Sequence, residues 1–120
     1  MISATNRLRS SMEFSHTVRQ GLRAGRPTVV VHVWRRDDPR PGVPPSARVG
    51  FAVSKAVGGA VGRNRVKRRL RALARPLVMA MPEGYSVVVR ALPEAAAQPG
   101  RLATDLRDAW EAACRKEGVA

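Results

Sequence analysis

Apolar residues at Val66, Leu70, Leu73 and Leu77 are spaced i, i+4, i+7, i+11, the spacing of one helical face. Five of the eight residues between them are cationic, so this segment predicts a helix with one greasy stripe and one charged face. Gly58-Gly59 breaks the chain before it, and Pro76 should kink or interrupt it by deleting a backbone donor. Upstream, Ser10 and Glu13 have capping-box spacing and open a helix running to about Leu22, with Phe14 and Val18 stacked at i, i+4. Gly21 or Gly25 would help to end it. The β-branched run Thr28 to Trp34 predicts a strand. Arg35 to Ser46 holds four prolines, a glycine and Asp37-Asp38, and reads as a loop.

Arg48 to Ser54 alternates Val49, Phe51 and Val53 with Gly50 and Ala52, the period of a second strand. Tyr85 to Ala91 contains Val87-Val88-Val89, a continuous apolar run suited to a buried strand. After a turn-rich connection from Pro93 to Gly100, Arg101 to Lys116 predicts a last helix. Its stripe is Leu102, Leu106, Trp110 and Cys114, with Asp105, Asp108 and Glu111 expected on the solvent side. The order helix, strand, strand, basic helix, strand, helix predicts a small α+β sandwich. At 120 residues the chain reads as one domain, with residues 1–9 as a basic mobile arm and 35–46 as a proline-rich loop.

Charge sharpens this picture. Lys plus Arg outnumber Asp plus Glu by 22 to 9, for a net charge of +13. No acid lies between Asp38 and Glu83, a stretch that holds ten cations, whereas from Glu83 onward six acids face five bases. Seven of those cations fall between Arg63 and Arg75. Lys67–Arg71 and Arg71–Arg75 are like-charge pairs at i, i+4, each mildly destabilising in an isolated helix. A partner that supplies anions would relieve them, which points to an extended polyanion such as nucleic acid.

Catalytic chemistry has little to stand on. His16 and His32 show no close-spaced ligand pattern with each other or with Cys114, the single cysteine. Gly58-Gly59 with Gly62 lacks the lysine spacing of a phosphate-binding loop. One thiol excludes an intrachain disulfide and fits a reducing compartment. With no apolar run of membrane-spanning length and no signal-peptide core, a cytoplasmic protein is expected.

Arg48 to Arg71, reading RVGFAVSKAVGGAVGRNRVKRRLR, closely resembles the signature of the bacterial ribonuclease P protein component. A strand ending in Val53-Ser54-Lys55 leads through a glycine-containing turn to Ala60-Val61-Gly62-Arg63-Asn64-Arg65-Val66-Lys67-Arg68. Asn6-Arg7-Leu8-Arg9 followed by Glu13-Phe14, and Tyr85 to Arg90, resemble the family's flanking segments. The resemblance implies an α/β sandwich of the ribosomal protein S5 domain 2-like type, with a mixed sheet and a left-handed crossover through the basic helix. It implies that Arg63, Asn64, Arg65, Lys67, Arg68 and Arg71 dock on the catalytic RNA, and Arg75 continues that charged face. A separate cleft would hold the single-stranded 5′ leader of precursor tRNA, with Phe14 and Lys55 in or beside it and Arg7 and Arg9 on the arm nearby. Val18 and Val31 stand where members often carry aromatics, and Gly59 replaces a more usual polar residue.

The implied activity is hydrolysis of one phosphodiester bond to free the leader. Mg²⁺ would be held mainly by the ribonuclease P RNA, and the protein would carry no catalytic or metal-binding residue of its own. Partners would be that RNA and precursor tRNA, with neither a membrane nor an obligate protein partner. Two rivals share the charge pattern: a ribosomal or assembly protein, and a DNA-binding module using the same helix in a major groove.

Overall fold

The computed structural model describes residues 2, 6–8, 10–36 and 46–119. Along the chain run α1 (Ser11–Gln20), β1 (Leu22–Gly25), β2 (Val29–Arg35), β3 (Arg48–Ala52), α2 (Ala60–Met79), β4 (Tyr85–Ala91), α3 (Glu94–Ala97) and α4 (Leu102–Glu117). Short 3₁₀ turns at Lys55–Val57 and Pro99–Arg101 lead into α2 and α4. The four strands form one mixed sheet in the order β1-β2-β4-β3. β1 and β4 both pair antiparallel to β2, while β3 and β4 are parallel and joined through α2. The expected α+β class holds, with α2 as the crossover.

Strand alternation splits the sheet into two unlike faces. Val29, Val31 and Val33 of β2, Val87 and Val89 of β4 and Val49 of β3 point into the main core. There they join Leu70, Ala74 and Val78 of α2 and Leu102, Leu106, Ala109 and Trp110 of α4. The opposite face carries Arg48 and Gly50 of β3, Ser86 and Val88 of β4, and His32 and Trp34 of β2, and α1 lies across it. The core face is apolar throughout; the α1 face is mixed, and this difference makes it a candidate for recognition.

Several sequence expectations are corrected. β1 falls where the end of the first helix was expected. It is only four residues long with Ala24 alone buried, so it has no legible alternation. Pro76 does not end α2, which continues to Met79. The carbonyl deprived of its donor belongs to Ala72, which like Pro76 is exposed, so water can satisfy it, while buried Val78 keeps the final turn packed. Asp105 is not on the solvent side: it is 4% exposed and accepts hydrogen bonds from the Thr28 amide (3.2 Å) and hydroxyl (2.8 Å). It thereby ties α4 to the start of β2. The segment expected as a mobile arm is docked where it is described. Leu8 donates to the Val49 carbonyl (3.0 Å), Arg7 bridges Val49 in parallel, the Asn6 amide donates to the Ala47 carbonyl (2.7 Å), and Ile2 is buried. The expected proline-rich loop lies mostly at 37–45, outside the described residues.

Candidate RNA interface

Two surfaces carry the predicted residues. The first is α2. Val66, Leu70, Ala74 and Val78 are buried, and the opposite side presents Asn64, Arg65, Arg68, Arg69, Arg71 and Arg75, all exposed. Arg63 and Lys67 are half-buried, and the Arg63 Nε is enclosed without a hydrogen-bond partner. Arg63 is three residues before Val66, so a 100° turn per residue brings it round to the packed side. Among the described residues, ion pairs are made by Arg36, Arg48 and Arg101, and none by a cation of α2. Asp108 and Glu111 are exposed, but on α4. The result is a row of guanidiniums along about 15 Å of helix from Arg65 to Arg75, with no carboxylate partner among the described residues.

The second surface is the face beneath α1. Gly50 is the floor: a Cβ there would come 3.1 Å from the Phe14 ring and 3.2 Å from Leu8 Cβ, so the ring lies against bare backbone. Arg7 is exposed beside β3 through its bridge to Val49. Lys55 is exposed in the turn that follows β3. The structure therefore places Phe14 and Arg7 each beside β3, with Lys55 further along the same chain segment; Arg9 lies outside the described residues.

Further along the α1 face, Trp34 meets His16 edge-on with ring centroids 5.5 Å apart. Glu13 accepts from Arg36 (3.3 Å), pairs with Arg48 (3.2 Å) and accepts from the Ser86 hydroxyl. Only half of the expected capping box forms. The Ser10 hydroxyl accepts from the Glu13 amide (3.2 Å), while the Glu13 carboxylate turns to the sheet instead.

The sequence model of the family described as Ribonuclease P matches residues 2–114. The chain belongs to the ribonuclease P protein family. It is 50% identical over 117 residues to the ribonuclease P protein component of Kocuria rhizophila, covering 97% of this chain and 98% of the relative. It is 54% identical over 110 residues to that of Streptomyces avermitilis, covering 88% and 89%. The fold matches the solved ribonuclease P protein of Staphylococcus aureus with a TM-score of 0.75 at 21% identity, covering 90% of this chain and 94% of that one. The Thermotoga maritima protein gives a TM-score of 0.67 at 22% identity, over 85% and 92%. The protein is thus a subunit of the tRNA-processing endoribonuclease ribonuclease P.

Within that family frame, two residues change places. Val31, which stands where members often carry an aromatic, is fully buried on the α4 side and does not face α1. His32 is the neighbour that faces α1. It is 1% exposed, and neither ring nitrogen has a hydrogen-bond partner. Burial, reinforced by Arg90 and Arg23, holds its pKa below the ordinary value, so the neutral imidazole is favoured. A single residue of strand register separates the two, and the apolar run Val29-Val30-Val31 hides that register from periodicity. Glu13 was also not legible as a tertiary contact, because its capping-box spacing supplied a complete local explanation.

Cys114 is half-buried with its Sγ 3.6 Å from Met81 Sδ, and burial pushes its pKa up to about 11, with Glu111 adding to the shift. It is an unreactive core thiol at neutral pH. Among the described residues no group of three His, Cys, Asp or Glu side chains converges, and no helix is long and apolar enough to cross a membrane.

Proposed function

We propose that this subunit binds the ribonuclease P RNA through the exposed side of α2 and holds the 5′ leader of precursor tRNA on the face beneath α1. The observation that carries the reading is the α2 row itself: exposed guanidiniums, without carboxylate partners among the described residues, on a helix whose other side is sealed into the core. Such a row repels itself, and phosphates remove the repulsion while releasing counterions. Arginine suits the role because its planar fork meets phosphate oxygens in pairs.

Phe14 offers a stacking platform for a leader base, worth about 1–3 kcal/mol, and Lys55 and Arg7 supply charge nearby. Two of the described carboxylates are already committed to protein partners. Glu13 is engaged by Arg36, Arg48 and Ser86, and Asp105 by Thr28 and Arg101. Mg²⁺, when bound to the RNA, would supply the activated water and stabilise the leaving oxygen. The protein's part is to offset repulsion between two RNAs and to position the leader, which favours cleavage at low Mg²⁺.

The test is reconstitution of purified protein with transcribed catalytic RNA and a precursor tRNA at low Mg²⁺. Leader release should require the RNA, and the protein should strengthen precursor binding more than binding of mature tRNA. Cleavage by repurified protein alone would overturn this division of labour. Equal strengthening of both tRNAs would remove the leader role.

A further inference from the structure

Helix α1 is short and sits on the mixed face of the sheet, with Thr17 its one fully buried residue. So little apolar contact cannot by itself fix the angle at which ten residues cross the strands. Directional ties do more. The Glu13 carboxylate reaches Arg36 just past β2, Arg48 at the start of β3 and Ser86 on β4. Both ion pairs are well shielded, with side chains only 13–14% exposed. Arg36 is itself anchored, donating to the carbonyls of Ser46 (2.9 Å) and Tyr85 (3.2 Å).

Building on the leader reading above, we propose that Glu13 is a positioning residue for leader binding: its ion pairs with Arg36 and Arg48 seat α1 and hold the Phe14 ring against Gly50. The neighbouring geometry makes that seat sensitive. The ring lies so close to Gly50 that a Cβ would crowd it, leaving no slack below, and Leu8 Cβ approaches the same point. The preceding residue, Glu13, is thus the lever and the ring its load.

Removing the carboxylate also reverses the local force. Burial and, after it, the nearby Arg48 disfavour charge on Arg36, and without Glu13 the two guanidiniums repel. Arg36 stays tied to the sheet through its carbonyl partners, so α1 is the element that yields. Glu13 has a second effect: it occupies two arginines that would otherwise add to the RNA-binding charge, and so separates structural from recognition cations on this face.

The experiment uses full-length protein labelled with fluorophenylalanine, which reports Phe14 and Phe51, the only two phenylalanines. Glu13→Ala should shift the Phe14 resonance toward that of the free amino acid and leave Phe51 in place. Arg48→Met should move it in the same direction, and serves if Glu13→Ala folds poorly. In the reconstituted holoenzyme, Glu13→Ala and Phe14→Ala should each reduce the preference for leader-bearing precursor over mature tRNA at least about fivefold. The double variant should lose no more than Phe14→Ala alone, because the two act through one ring. An unmoved Phe14 resonance in both variants, or losses that multiply in the double variant, would overturn the proposal. If Phe14→Ala left the preference intact, the leader reading would fall, while the resonance would still decide the positioning of the ring.

Discussion

Replacing Arg65, Arg68 and Arg71 together with alanine separates RNA binding from folding, because the two should respond in opposite directions. All three side chains are exposed on α2 and none is ion-paired within the described fold. Their removal eliminates the i, i+4 repulsions Arg65–Arg69, Lys67–Arg71 and Arg71–Arg75. At about 0.2–0.5 kcal/mol per pair, the isolated protein should gain about 0.6–1.5 kcal/mol of stability. Binding should weaken. If each guanidinium meets one phosphate, the slope of log affinity against log salt flattens by about 0.7–0.9 per residue, or about 2–3 in total. Between about 50 and 200 mM salt, the native protein should therefore lose about 20–40-fold more affinity than the variant. Filter binding or fluorescence titration against the catalytic RNA over that range measures the slope, and urea unfolding measures the stability. Arg107→Ala, an exposed cation on α4, is the control and should change neither quantity much. An unchanged slope in the triple variant would refute the α2 interface. A stability loss beyond about 1 kcal/mol would show that the row is held by contacts other than those described.

Three further outcomes test the fold beneath these surfaces. Asp105→Ala strands the buried amide and hydroxyl of Thr28 and should cost about 2–5 kcal/mol in urea unfolding, whereas Asp105→Asn, which keeps an acceptor, should cost clearly less. His32 titrates below its ordinary value of 6.5 when folded, so the unfolded chain binds the proton more readily. Stability should accordingly fall as the pH drops below about 6.5 toward the folded value, and His32→Leu should flatten the limb between about pH 7 and pH 5. Cys114, with its pKa raised to about 11, should resist alkylation at about pH 8 in native protein and react far faster in urea.

Sequence patterning was sufficient for helix α2 and strand β4. The stripe Val66, Leu70, Leu73, Leu77 located α2 and its charged side, and the valine run located β4 at the residues observed. The charge asymmetry likewise needed no coordinates, since the absence of acids between Asp38 and Glu83 is a property of the chain order. Where the reading failed, a local explanation competed with a distant one. Asp105 lies on the flank of an amphipathic helix, where a carboxylate ordinarily meets water, and only the approach of Thr28, 77 residues away in sequence, made burial favourable. β1 was too short to show a period, and it exists because β2 offers it a pairing edge.

The sheet face beneath α1 shows the limit most clearly. Sequence supplied Phe14, Lys55 and Arg7 by resemblance, but not the floor at Gly50, the register that turns His32 rather than Val31 toward α1, or the Glu13 clamp. Each depends on which strand lies beside which, in the order β1-β2-β4-β3. The chain alone thus determined the composition of the charged helix α2, because a helix face is written in neighbours three and four residues apart. Only the tertiary structure decided the second surface, because a sheet face is assembled from strands whose sequence separation carries no periodic signal.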